Sequence, residues 1–291
     1  LFIEEGKLMT KLEIPREFVS VIDALEKENV ILDYSNYGIS FLSKVNYKRL
    51  LYFNNLIKMK KSKVFLSHIY YYSLFDNDLR ILFFEILASI EVSIKAQVAL
   101  NHGYMYGDYG YLYQKNYSSR SNRRYSQGET IFEKLINRFI GECSREFGNG
   151  QEIKELTVWD AIEAMSFGSV SKMYGLFEIK IQKKIASYYK IPYNLLDEWL
   201  HGITILRNKC CHHSILLGKN MPIPIATHND DLLLYGDVDS RSYFNYILAI
   251  KRLLVNKKKW KYFASKLDVL MKKYNVSRKL LGIAHGFDLY E

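Results

Sequence analysis

The chain has 291 residues, 48% hydrophobic and 25% charged, enough apolar side chain to bury a core without disulfides or structural metal. Its 41 Lys and Arg against 31 Asp and Glu leave a formal charge of +10, which draws polyanions, nucleic acid before anionic membrane. With 16 Gly and 4 Pro it has too few breakers for a turn-rich all-β protein and permits long helices.

Residues 16–32 place Phe18, Ile22, Leu25 and Val30 at helical spacing and predict a short amphipathic helix. A second helical pattern occupies 36–57. From Tyr34 through Phe75 no residue is acidic and seven are basic, Lys44, Lys48 and Arg49 among them. A long helix is predicted at about 76–101, opened by an Asp or Asn cap, apolar around most of its circumference, with Glu91 and Lys95 paired at i,i+4. Residues 103–128 alternate Tyr with Gly and then become Ser- and Arg-rich, the pattern of a loop or lid; its Tyr104–Tyr113 run offers stacking platforms for unpaired bases. Helical patterns resume at 129–147, 157–166 and 169–189, then at 194–213 beyond Pro192, and again in the basic amphipathic stretch 241–274. Within 251–273 nine residues are Lys or Arg, including Arg252, Lys257, Lys258 and Lys259, and only Asp268 is acidic. The expected fold is all-α: a basic N-terminal helical extension over 1–75 and a helical domain over 76–291. The stretches 44–63 and 251–273 are expected to contact RNA phosphates.

Cys143, Cys210 and Cys211 cannot form a disulfide framework, because adjacent cysteines pair only with strain; a reducing cytoplasm is expected. No apolar run reaches the roughly 18 residues of a membrane span, and no signal peptide is visible at the start of the chain, so no membrane partner is expected.

Reactive side chains are densest in Leu206-Arg207-Asn208-Lys209-Cys210-Cys211-His212-His213-Ser214. Four readings compete. A zinc site needs a tetrahedron that adjacent ligands cannot close, and no second Cys/His pair stands at finger spacing. A thiol nucleophile has a neighbouring His, but cysteines in an apolar helix are usually inert packing. In the third reading the polar residues cap a helix end and pair locally. The fourth reading is an Arg/His pair for phosphodiester cleavage. RNA brings its own nucleophile, the 2′-OH. Cleavage then needs a proton acceptor, for which His is suited, and a permanent planar cation for the developing phosphorane charge, for which Arg is suited. On an ideal helix Asn208 and His212 share a face, whereas Arg207 and His212 stand about 140° apart. Arg207 must bend round, or the helix must deform near its end.

The segment LRNKCCHHSILLGKN resembles the signature of abortive-infection (Abi) proteins of the AbiD/AbiF type, within the HEPN ribonuclease superfamily: an Arg, a polar residue, and a His, here Arg207, Asn208 and His212. FLSKVNYKRLLYF (41–53), DLRILFFEILASIEVSIKAQVAL (78–100), VWDAIEAMSFGSVSKMYGLF (158–177) and LLGIAHGF (280–287) resemble further blocks of that family, in family order. Departures are Cys211 for a common Ala, Ile215 for a frequent Arg, and Lys95 for Arg. The resemblance implies a HEPN-like helical bundle that dimerises, two motif helices building one composite cleft. It also implies metal- and cofactor-independent RNA cleavage to a 2′,3′-cyclic phosphate, in phage defence or as a toxin restrained by an RNA or protein partner. Arg207, Asn208 and His212 would be catalytic, with Glu91, Lys95 and His213 in support. The reading from a different class is a non-catalytic protein that holds a structured RNA.

Overall fold

Leu66, Ile69, Phe75, Leu79, Phe83, Ile86, Ile90, Ile94 and Val98 recur every three or four residues and are all buried, so a single helix runs through the middle of the molecule. The computed structural model describes residues 19–33, 41–59, 61–148, 153–283 and 287–288. Among them are eleven α-helices. In chain order α1 is Val19–Lys27, α2 Tyr47–Lys58, α3 Leu66–Tyr106, α4 Ile131–Phe147, α5 Val158–Ala164 and α6 Phe167–Leu176. Then come α7 Ile179–Tyr188, α8 Tyr193–Cys211, α9 Asn229–Tyr235, α10 Tyr243–Leu253 and α11 Lys257–Lys273. The 41-residue α3 packs against α2, α5, α6, α7, α8, α10 and α11, so the fold is an all-α bundle around α3.

Several expected boundaries move. The long helix begins at Leu66, not at a cap near Asp76, and a boundary at 75/76 would fall inside it. Asp76 is 1% exposed and its carboxylate serves other backbone groups, so it is free neither to cap nor to face water. The expected 16–32 helix stops at Lys27, where Asn29 takes a left-handed φ of 57° and Val30–Ile31 (β1) pairs in parallel with Val64–Phe65 (β2). Residues 16–18 of that helix, Lys60 of the basic stretch and 284–286 of the closing block lie outside the described residues. The 241–274 stretch is two helices: Leu254 leaves helical backbone and Asn256 restarts it by accepting the Lys258 N–H.

The expected loop is pinned to the body at its middle and exposed over 122–128. Tyr111 and Tyr117 are buried; the Tyr111 hydroxyl donates to the Leu156 carbonyl (2.9 Å) and the Tyr117 hydroxyl to the Tyr111 carbonyl (2.8 Å). Tyr104, Tyr109 and Tyr113 remain exposed, so stacking surface survives at three of the tyrosines. No helix among the described residues is long and apolar enough to cross a membrane.

His102 on α3 is fully buried among the rings of Tyr106, Tyr117 and Phe177, and neither ring nitrogen finds a hydrogen-bond partner among the described residues. Burial penalises the imidazolium and lowers its pKa from 6.5 to about 4. Between those values the unfolded chain binds a proton that the native chain refuses, so this contribution to stability is complete above about pH 6.5 and is lost as pH falls toward 4. Urea unfolding should show the wild-type protein losing about 2 kcal/mol more than His102→Phe between pH 7 and pH 5. Parallel losses in the two proteins would refute this.

Candidate active site

Pro192 precedes the first turn of α8 as its N-cap, and Leu196, Trp199, Leu200, Ile203, Leu206 and Cys210 form its buried stripe. Burial of Leu206 and Cys210 in the last turns fixes the rotation of the helix. Arg207 is consequently half-buried against α3, while Asn208 and His212 are exposed. The helix ends at Cys211. His212 is its C-cap and still donates its N–H to the Asn208 carbonyl (2.9 Å), so these two residues keep a common side. The chain turns one residue later, where His213 adopts a left-handed φ of 52°.

Arg207 turns toward α3. Its Nε lies 3.3 Å from Glu91 Oε2, and its guanidinium carbon stands 5.9 Å from the centre of the Phe84 ring. Glu91 Oε1 also faces Lys95 Nζ at 3.8 Å, and Lys95 donates to the Glu163 carbonyl (2.9 Å). Glu91 therefore serves both alternatives open to it, holding Arg207 and pairing with Lys95. Among the described residues no hydrogen bond joins Arg207 to Asn208 or His212. The chain positions the cation and the imidazole without a hydrogen bond between them among the described residues.

The backbone after the motif is clamped. Asp76 accepts the N–H groups of Leu216 and Leu217, both at 2.8 Å, and pairs with Arg80, which reaches toward the Ser214 carbonyl (3.4 Å). Arg49 donates to the His213 carbonyl and the Tyr52 hydroxyl to the Leu217 carbonyl (2.9 Å). Gly218 closes the turn at φ 72°; a Cβ there would stand 2.6 Å from Leu56. Arg49, expected to meet RNA, is thus first a backbone clamp. Burial and the neighbouring Arg80 lower its pKa, with Asp76 opposing.

Lys44, Arg49, Arg80 and His213 line a cleft of about 750 Å³ beside that turn. Lys44 and Lys48 are exposed, as are Lys257, Lys258 and Lys259, the last donating to Ser89 on α3 (2.9 Å). Arg252 is engaged elsewhere: its Nε and Nη2 form a fork on Asp231 at 2.6 and 2.8 Å. Burial pushes the Cys210 thiol up to about 12, which leaves it protonated and inert. Among the described residues no group of three His, Cys, Asp or Glu side chains is placed to hold a metal ion. The sequence reading took Asp76 or Asn77 as a helix cap and gave Arg80 no role. The signal for a different role was the i,i+4 spacing of the opposite charges Asp76 and Arg80.

One family, described as Abi-like protein, matches the chain over residues 40–218. That span includes Arg49, Asp76, Arg80, Glu91, all of α8 and the clamped turn. No curated protein and no solved structure matches the chain.

Removing the Asp76 carboxylate strands Arg80, whose side chain is 7% exposed, and leaves two backbone N–H groups without their acceptor. Asp76→Ala should cost about 3–5 kcal/mol in urea unfolding. Hydrogen exchange at Leu216 and Leu217 should accelerate more than at helix-centre amides. Unchanged exchange there would show that the carboxylate does not hold the turn.

Proposed function

The chain belongs to the Abi-like protein family, and from that premise we propose that it is a phage-defence protein of the AbiD/AbiF type that cleaves RNA by the metal-independent HEPN mechanism. The observation that carries this reading is the exposed His212 standing at the start of a backbone turn that Arg49, Tyr52, Asp76 and Arg80 hold from 213 to 217. A helix end that merely needs capping has no use for four side chains from two other helices. A reacting imidazole does, because its position must survive substrate binding.

His212 takes the 2′-OH proton as O2′ bonds to phosphorus, Arg207 offsets the phosphorane charge, and the P–O5′ bond breaks as a second imidazole protonates the leaving oxygen. The products are a 2′,3′-cyclic phosphate and a 5′-OH. Asn208, exposed on the His212 side, donates to a phosphate oxygen. Glu91 keeps Arg207 extended along α3, and the cleft of Lys44, Arg49 and His213 takes the flanking phosphates.

The second imidazole comes from a second copy. Ile81, Phe84 and Val92 recur at helical spacing on α3 and are 59%, 42% and 66% exposed. They lie between Glu91, which carries Arg207, and Ser89, which takes Lys259. Joining two copies along this stripe brings two Arg207 side chains and two motif helices to one seam. Val92→Glu should convert the dimer to a monomer by light scattering and abolish cleavage with the helical spectrum unchanged. A wild-type monomer at micromolar concentration would contradict the composite cleft.

The decisive test is cleavage of total RNA and tRNA, with end-group analysis. His212→Ala should lower the rate by ~10²–10⁴-fold without loss of fold, and Arg207→Lys should fail as well, since a point charge cannot replace a planar fork. Cys210→Ser and Cys211→Ser should cleave normally, and EDTA should change little. If His212→Ala cleaves like the wild type, the motif is not the nuclease site and an RNA-holding role replaces it.

A further inference from the structure

A second cavity, of about 680 Å³, opens where α4, α6 and the N-terminal half of α8 meet the segment that carries Arg120 and Tyr125. It lies at the other end of α8 from Arg207. Its size is that of a small-ligand site. Arg120, Lys134, Arg138 and Lys172 line it, against two carboxylates, Asp197 and Glu198. Glu198 is already used, accepting the Ala226 N–H at 2.8 Å. Arg120, Lys134 and Lys172 make no ion pair among the described residues.

The cations are positioned, not merely numerous. Glu142, 6% exposed, accepts the Ser166 and Ser169 hydroxyls at 2.7 and 2.9 Å and the Ser166 N–H at 3.1 Å. Burial alone would raise its pKa, but those hydrogen bonds and Arg138 hold it below the usual carboxylate range. The resulting carboxylate fixes Arg138 through Nε at 3.1 Å, and Ser166 takes Nη2 at 3.3 Å. Lys134 stands 4.2 Å over the Tyr125 ring. Burial lowers the Lys172 pKa and the neighbouring Arg138 and Lys134 lower it further, with Glu142 opposing, so three cations share this wall with one buried carboxylate. Ile131, Leu135 and Leu176 supply an apolar wall.

Asp197, also lining the cavity, comes close to α6 where Gly175 lacks a side chain; a Cβ there would come within 2.7 Å of its Oδ1. A set of converging cations, an aromatic ring, an apolar wall and one carboxylate match a phosphate, a planar base and the base's N–H edge. We propose that this cavity binds a small nucleotide, and that it is a ligand site separate from the Arg207–His212 cleft.

Calorimetry on the His212→Ala protein tests this without any need for cleavage, so a failure of the nuclease reading leaves the result interpretable. The probes are the four ribonucleoside triphosphates, the matching nucleosides, inorganic phosphate and a hexanucleotide RNA. At least one triphosphate should bind tenfold or more tightly than its nucleoside and than phosphate. Lys172→Glu and Lys134→Gln, both exposed positions, should each weaken it tenfold or more with the helical spectrum retained. If Lys172→Glu does not fold, Lys134→Gln decides. The proposal is overturned if no triphosphate binds, if phosphate binds equally well, if neither variant weakens binding, or if only the hexanucleotide binds and loses affinity on Lys134→Gln.

Discussion

The Asp76 carboxylate is the interaction on which the motif region depends. It is buried with Arg80 on the central helix and it accepts two consecutive backbone N–H groups from the turn beyond α8. A buried ion pair of this kind contributes little net stability compared with apolar packing, yet breaking it is costly. Its use is positional. Backbone donors at a helix C-terminal turn must be satisfied somewhere, and Asp76 satisfies these two in one geometry. The left-handed His213 and Gly218 set the limits of the turn that results.

The central helix organises the rest by presenting different sides to different tasks. One side carries the core. Glu91, itself paired with Lys95, holds Arg207, and Asp76 and Arg80 hold the turn that follows. The open strip of Ile81, Phe84 and Val92 lies between α8 and α11. Because the residues that hold the cation and the turn, and the apolar strip itself, belong to one rigid element, the three keep fixed relative positions. The excess of positive charge is likewise divided. Some of it is spent on backbone, as with Arg49, and some on acids, as with Arg252. The rest remains exposed or gathered in clefts.

Much of this was legible in the sequence. Scarce breakers and 3.6-residue apolar periodicity determined an all-α fold, and the cluster of Arg207, Asn208, His212 and His213 marked the end of α8 as the candidate site. The i,i+4 pairing of Glu91 with Lys95 was readable because both partners lie on one helix. What the sequence left open depended on contacts across the chain. Whether Glu91 also held Arg207 required the packing of α3 on α8. That Asp76 serves Leu216 and Leu217 rather than capping a helix follows from a separation of 140 residues, beyond any local pattern. A basic residue also reads alike in sequence whether it meets solvent, a carboxylate or a carbonyl. Only the tertiary structure distinguished Lys48 in solvent from Arg252 on Asp231 and Arg49 on His213, because the partner, and not the side chain, decides what a charge does.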